Sequence, residues 1–449
     1  MSPDFDIIVI GGGGAGLVSA IAAAQSGKSV LLLEKTPDIG GHTVNTQGMF
    51  PASYTRFQKA LGIKDSPEKM TADILNENGN SVPYDVVNNL SLNSRHVAEW
   101  LVDFCGQELG VATDFKYHGY SNYRIHSPPG RTGKELITTL LEKAESMGNI
   151  EIIREHGVSK LIHNGRGQVS GLEISGSGEN ITTGATIITT GGYGANRDFV
   201  EKYMPDASKM MYFGSSEHRG DSIIWGEALG AELDYLDSYQ AHSAVSSAGT
   251  LITWETVMKG ALIVNSLGER FANEITGYSR FAKSITNQPD SIAYEIYNRE
   301  IHEEMLQRYP EYRETHLLGG IKSFHDITEL ASFIGCKPGN LSSTIYIANS
   351  YKDNMKTDKF GRNFFVPIEA PYYAAKIIPA LFHTQGGLRV GKDARVILKG
   401  GSSCRNVFAA GDAAAGISGP GSDGYVSGTG LLCALTYGWL AGKNSSALK

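Results

Sequence analysis

Residues Asp6–Glu34 read DIIVIGGGGAGLVSAIAAAQSGKSVLLLE, and the order of residue types in this stretch decides the fold. Asp6 to Ile10 is a short apolar run rich in β-branched residues, the pattern of a buried parallel strand. Gly11, Gly13 and Gly16 follow at G-x-G-x-x-G spacing, and Ala-rich sequence runs to Ser26 with Gly27 placed to end a helix. Val30 to Leu33 predicts a second strand, closed by the acid Glu34. The first glycine permits a tight turn, the second lets backbone approach a pyrophosphate, and the third lets helix pack on strand. The helix N-terminus faces the phosphate charge, and Glu34 stands where a carboxylate can hold a ribose hydroxyl pair. A glycine-rich turn without a ligand is the plainer reading. Strand, triplet, helix, second strand and terminal acid together point instead to a dinucleotide site.

Working outward, 449 residues are enough for two or three domains with a sizeable core. A net charge of −7, with no Lys/Arg block, argues against a nucleic-acid or anionic-membrane partner. Asp4 and Asp6 flank the apolar N-terminus where a signal peptide carries basic residues. The apolar run Gly430 to Gly442 is too short to span a bilayer. Cys105, Cys336, Cys404 and Cys433 lack C-x-x-C spacing, so no zinc ribbon, redox dithiol or other metal site is expected. The expectation is a cytoplasmic enzyme with no membrane span.

Several segments carry local signals. Ser66-Pro67-Glu68 opens a helix by N-cap and proline logic, and Ser94 reads as the cap of another, with Val97, Trp100, Leu101 and Phe104 on one face. Tyr117 to Arg131 is an irregular loop dense in Tyr, His and Arg, either a substrate-facing wall or a surface connection. Leu136, Leu140 and Ala144 mark a helix. Val158–His163 and Val169–Ile174 alternate around Asn164-Gly165 as a hairpin, and Ala185 to Thr190 predicts a last buried strand before Gly191-Gly192-Tyr193-Gly194. Near Leu233 the texture turns polar, with helical stretches expected at Ser291–Tyr309 and Leu341–Tyr351. Glycine-rich sequence returns at HTQGG (His383–Gly387) and NVFAAGD (Asn406–Asp412). The domain limits read as residues 1–234 and 379–449 for a split nucleotide-binding domain, and 235–378 for an inserted cap.

These blocks, with GGHT, ATIITTGGYG, HRGDSIIWGEALGA, QAH, ALIVNSLGERFANE and PYYAAKIIPALFHTQGG, resemble the fumarate reductase/succinate dehydrogenase flavoprotein superfamily over nearly the whole chain. In active-site pattern the chain is similar to the 3-ketosteroid dehydrogenases. The resemblance implies an α/β fold: a Rossmann-like FAD-binding domain (parallel sheet with β-meander) interrupted by an α+β capping domain. It implies FAD as cofactor and hydride transfer between the flavin and a substrate carbon of an activated C–C bond. The residues it assigns to FAD are Gly11, Gly13, Gly14, Ala15, Gly16, Glu34, Lys35, Gly40, Gly41, His42, Thr43, Gly48, Val158, Gly192, Asp221, Gly411, Asp412, Gly430 and Leu431. Membrane-bound members attach flavin covalently through the histidine of an S-H-T motif, whereas soluble members generally carry Asn and bind it non-covalently. This chain mixes a soluble-type double glycine with His42. Non-covalent FAD is the expectation, with a bond through His42 as the alternative.

On the substrate side, the resemblance assigns His242 of QAH, Glu255 and His383. Glu255 reads equally as a cap surface charge. The dicarboxylate reductases place a proton-donating arginine four residues after the Glu of NE; here that residue is Tyr278, with Arg280 two residues on. The glycine-rich loop before the last helix, SDGYVSGTG, holds Tyr425 and Ser427 and no arginine. Its G-Y-x-S-G pattern is similar to that of ketosteroid 4-ene dehydrogenases, in which tyrosine and serine hold a keto oxygen. The expected substrate is therefore an α,β-unsaturated ketone or its saturated form, with Tyr278 as acid/base and a separate electron carrier. The alternatives are a fumarate-type reductase of a small unsaturated carboxylate with Arg280 as acid, a hydroxy-acid oxidase, and a flavin subunit that only relays electrons. Tyr372 and Tyr373 read as packing.

Overall fold

A computed structural model describes residues 3–164, 167–352 and 356–448. Contacts divide the chain into two compact units: Met1–Pro205, Gly214–Tyr239 and His383–Lys449 form the first, Asp206–Phe213 and Gln240–Phe382 the second.

The first unit is built on a parallel sheet. Strand Phe5–Ile10 pairs with Val30–Leu33 on one side and Asn180–Ile188 on the other; Ile150–Ile153 and Ser403–Ala409 extend the sheet outward in parallel. Strand Phe5–Ile10 enters the sheet with its last four residues buried, and Val30–Leu33 is buried throughout, as unbroken apolar runs require when both faces are covered. Helix Gly14–Ala24 lies between the first two strands in sequence and has every residue buried. Gly27 follows at φ +80, the left-handed stop that the sequence predicts.

Val158–His163 and Val169–Ile174 form the expected antiparallel pair, and Asn180–Ile188 completes a meander. Gly165 of the predicted turn lies outside the described residues. The last strand begins five residues before Ala185, because its first half pairs in the meander, and ends at Ile188 rather than Thr190, opposite Ile10, the last residue of its parallel partner.

Ser66 caps helix Pro67–Glu77 as predicted, accepting from Lys69 N. Ser94 does not cap a helix. It sits within Tyr84–Asp103, donates to Ser91 O at 2.7 Å, and accepts from Ser53 N at 3.1 Å. The buried face of that helix is Val87, Leu90, Ser91, Ser94, Val97, Ala98 and Leu101, a helical stripe in which small serines give close packing. Trp100 and Phe104 are only half-buried and stack on each other with ring centroids 5.8 Å apart. The predicted helix over Leu136–Ala144 is Gly133–Glu145.

In the second unit, strand Tyr372–Thr384 is the hub. It pairs with Ala293–Tyr297, Lys322–Phe324, Tyr239–Ser246 and Met211–Tyr212, and Leu262–Val264 extends the sheet beyond Ala293–Tyr297. The short strand Met211–Tyr212 brings residues 206–213 into this unit, a membership that sequence texture did not separate. The helix expected over Ser291–Tyr309 is two elements. Ala293–Tyr297 is a fully buried strand paired on both edges, and Asn298 caps helix Arg299–Arg308 by accepting from Ile301 N. The aromatic Tyr294 and Tyr297 and the β-branched Ile296 in AYEIY favour the strand once two partners cover it. The second stretch holds as helix Pro338–Asn349, which packs Leu341, Ile345 and Ala348 onto Leu262, Ile296 and Phe365. Among the described residues, no helix is long and apolar enough to cross a membrane, and no cluster of His, Cys, Asp or Glu could hold a metal ion.

Candidate active site and flavin cradle

The glycine triplet forms a cradle locked from inside and open on one side. A Cβ on Gly16 would lie 1.9 Å from Gly11 O, and one on Gly11 would lie 2.4 Å from Thr189 O. At Gly13 the nearest atom to such a Cβ is Gly40 O at 3.8 Å, so that glycine faces room rather than packing. The second glycine loop closes against the first: Gly40 N donates to Gly12 O at 2.9 Å, and Gly14 N donates to Thr43 Oγ1 at 3.4 Å. Glu34 accepts from Gly12 N at 2.8 Å and from Thr36 N and Oγ1 at 2.9 Å each. A carboxylate offers about four lone-pair sites, so this one organises the loop and keeps room for about one further donor. Lys35 and Asp221 pair with each other at 3.4 Å, and Glu217 lies 3.4 Å from the same ammonium. Val158 opens the meander strand, paired with Ile174. Gly48, Gly192 and Gly430 each stand where a Cβ would strike a neighbour: Thr132 O at 2.7 Å, Thr384 Oγ1 at 1.9 Å and His383 Cε1 at 2.5 Å.

Beyond the cradle, the first unit gathers three imidazoles and an acid. The His42 ring is 5.9 Å from His383 and 6.2 Å from His218. Burial, with the other two rings adding, pushes the His42 pKa down to about 3, and burial also lowers His218. His383 goes the other way. Burial opposes its charge, but Asp412, with Oδ1 3.1 Å from Nδ1, outweighs that and raises the pKa above its ordinary value. Asp412 follows strand Ser403–Ala409 in the turn Gly411–Ala413, and is held below the carboxylate range despite burial. The Tyr425 ring stands edge-on to His383 at 5.9 Å, and Ser427 is buried two residues on. Gly428 then opens the last helix, Thr429–Ser446, whose first turn includes Gly430 and Leu431.

The second unit has its own cluster. Helix Tyr278–Thr286 buries Tyr278, Phe281, Ala282 and Ile285 at helical spacing. It is tied to strand Tyr239–Ser246, since Ser243 Oγ donates to Tyr278 O at 2.5 Å and Ala241 N donates to Ser279 Oγ at 3.1 Å. The Tyr278 ring consequently stacks on His242 at 4.6 Å, with Trp254 at 6.3 Å from both and Phe382 at 5.6 Å from His242. His242 Nδ1 accepts from Ala244 N at 3.1 Å, and burial pushes its pKa down to about 3, leaving a neutral ring. Arg280 is half-buried, two positions along the same helix, so it projects from a different side of the helix than Tyr278.

Glu255 is not a surface charge. It is fully buried and accepts from Arg308 Nη1 at 2.8 Å and from the Tyr309 hydroxyl. Both partners come from the end of helix Arg299–Arg308, too far along the chain for spacing to reveal them. His218 was visible only inside the quoted HRGD block. Tyr373 stacks on His302 at 4.0 Å, which is packing as predicted.

Against known proteins, residues 6–428 match the FAD binding domain family. The chain belongs to that family. Urocanate reductase of Eggerthella lenta is 29% identical over 467 aligned residues, covering 100% of this chain and 75% of the relative. The open conformation of a flavocytochrome c3 fumarate reductase superposes with a TM-score of 0.83 at 27% identity, over 99% of this chain and 79% of that one. The 3-ketosteroid-Δ4-(5α)-dehydrogenase of Rhodococcus jostii RHA1, in complex with 4-androstene-3,17-dione, gives 0.76 at 25% identity, over 99% and 98%. As a member of the FAD-binding family, this protein is a flavin-dependent oxidoreductase of the CH–CH class. The cradle fits FAD on its own geometry: an open glycine before a helix N-terminus, and a buried carboxylate with acceptor capacity left.

Proposed function

We propose that this oxidoreductase acts on an α,β-unsaturated ketone or its saturated form, of flat, steroid-like shape. The observation that carries the reading is the loop of Tyr425 and Ser427. It carries two hydroxyl donors, and the Tyr425 ring stands edge-on at 5.9 Å to His383, whose Nδ1 pairs with Asp412 at 3.1 Å. A carbonyl oxygen gains from such donors as its charge grows, whereas a carboxylate wants a bidentate arginine. The neutral His242 and its aromatic neighbours suit an uncharged, planar substrate for the same reason. The ketosteroid dehydrogenase that the chain resembles holds a ketone of this kind.

In this reading Tyr425 and Ser427 hold the oxygen, Tyr278 holds the proton that one carbon gains or loses, and His242 packs the ring in place. FAD, bound non-covalently, supplies the hydride chemistry, and a separate carrier exchanges the electrons. Cytoplasmic residence belongs to the same proposal. A second reading is favoured by the relatives: urocanate and fumarate reductases match nearly the whole chain at 28–29% identity. It would make the substrate a small unsaturated carboxylate, with Arg280 as acid.

Anaerobic titration of the FAD-loaded protein decides between them. 4-Androstene-3,17-dione or a simpler enone should perturb the flavin spectrum at micromolar concentration, with fumarate and urocanate silent. The reverse pattern sinks the ketone reading.

A further inference from the structure

Four glycines, Gly419, Gly421, Gly424 and Gly428, interrupt the loop that carries Tyr425 and Ser427. Each glycine has more conformational freedom to lose on folding than any other residue would at its place. Something outside the loop must fix the two hydroxyls. Gln385 Oε1 accepts from Ser418 Oγ at 3.1 Å inside the loop, and two side chains from the N-terminal third of the sequence reach its two ends. The buried Tyr120 hydroxyl donates to Ser427 O at 2.8 Å, and Asn78 Nδ2 donates to Ile417 O at 2.9 Å, also buried. The loop lies close on the turn that carries Asn78: a Cβ on Gly424 would come within 2.8 Å of Asn78 Cα, and one on Gly419 within 1.9 Å of Ser81 Oγ.

Tyr120 is itself held. Arg124 lies over its ring at 5.7 Å, and Arg124 is clamped by Asp65, with two contacts of 2.8 Å, and by Asp73. Ser121, next to Tyr120, donates its N and Oγ to Asp73 at 2.7 Å each. The segment from Tyr117 to Arg131, expected as an irregular loop that is either a substrate-facing wall or a surface connection, includes the short strand Ile125–Ser127 and is tied inward at Tyr120 and Arg124. It is a strut running from a buried ion cluster to the carbonyl of Ser427.

We propose that Tyr120 and Asn78 are positioning residues, which brace the loop Ile417–Gly428 at its two ends and thereby aim Tyr425 and Ser427 at the substrate oxygen. This rests on the proposed function, in which those two side chains receive that oxygen. Holding the Ser427 carbonyl fixes the rotation of its peptide, and with it the direction of the neighbouring Cα–Cβ bonds. A group that must meet developing charge loses rate steeply when displaced by about 1 Å, while substrate binding, spread over many contacts, changes little.

Tyr120→Phe and Asn78→Ala, each purified with FAD, test the brace. The expected result is a fall in kcat of about tenfold or more, KM within about twofold, and flavin content and melting temperature close to the parent. The flavin band shift on binding an enone, which reads how the oxygen end is held, should shrink in both. Combining Tyr120→Phe with Ser427→Ala should cost less than the product of the two single effects, since part of the first acts through the second. Parental kcat in either brace variant that takes up FAD, with Tyr425→Phe and Ser427→Ala slow, overturns the proposal; so does a fully multiplicative double variant. Each variant is read alone. If Tyr120→Phe fails to take up FAD, parental kcat in Asn78→Ala still overturns it. Parental rates in Tyr425→Phe and Ser427→Ala overturn the proposed function, and the brace with it.

Discussion

His383 Nδ1 lies 3.1 Å from Asp412 Oδ1, with the imidazole buried and the carboxylate largely so. A residue assigned by resemblance to the substrate side and one assigned to the flavin are therefore one electrostatic object. Removing either partner leaves the other as an uncompensated buried group.

A pH dependence follows from that pair. Burial favours the neutral ring, yet Asp412 holds the His383 pKa above its ordinary 6.5 in the folded state. Its contribution is complete below the unfolded pKa and fades as pH climbs through the folded one. Burial also opposes charge on Asp412, but His383 holds its pKa below 3.8, so its contribution is complete above that value and fades as pH falls. His42 and His218 are depressed and act oppositely on the acid side, costing stability as pH drops through 6.5. The test is the difference between parent and Asp412→Asn. The parent should lose urea resistance from pH 6.5 upward, and the variant should lose distinctly less. Identical slopes on the alkaline side would refute the assignment.

Tyr278 should carry the proton. Tyr278→Phe is expected to lower turnover on the order of a hundredfold while leaving flavin content intact, because only the hydroxyl is lost from a ring that stays stacked on His242. Arg280→Ala, on another side of the helix, should retain most activity. The opposite ranking would move the acid to Arg280 and favour a carboxylate substrate.

Arg124 should matter more to stability than its distance from the flavin cradle implies. Its guanidinium and the Asp65 carboxylate have no solvent exposure, and Asp73 shares the pair. Arg124→Met strands a buried carboxylate and should cost about 3–5 kcal/mol in urea unfolding. A loss under about 1 kcal/mol would show that water reaches the cluster.

His42 decides how the flavin is held. Its ring is buried beside two other imidazoles with its pKa pushed to about 3, so it meets the cofactor as a neutral group. Non-covalent FAD should leave with the supernatant on acid precipitation. Yellow colour retained in the washed pellet, and lost from the pellet in His42→Ala, would establish the covalent alternative.

The sequence by itself determined what neighbours along the chain can decide. The glycine triplet between two apolar runs, the Gly27 stop, the Ser66 cap and the Val158–Ile174 hairpin all depend on backbone preferences within a few residues. Family resemblance then supplied the cofactor. Two local readings failed where packing outweighed a local signal: Ser94 lies inside a helix because its small side chain fits a buried stripe, and AYEIY is a strand because two strands cover its edges. Only tertiary structure decided the partners. Glu255 meets Arg308 and Tyr309 across 53 and 54 positions, and Tyr120 meets Ser427 across 307. The reason is physical. Periodicity and caps report torsion angles and which face is apolar, whereas the pairing of a buried charge or hydroxyl is fixed by which distant element arrives to exclude water, and no spacing rule encodes that arrival.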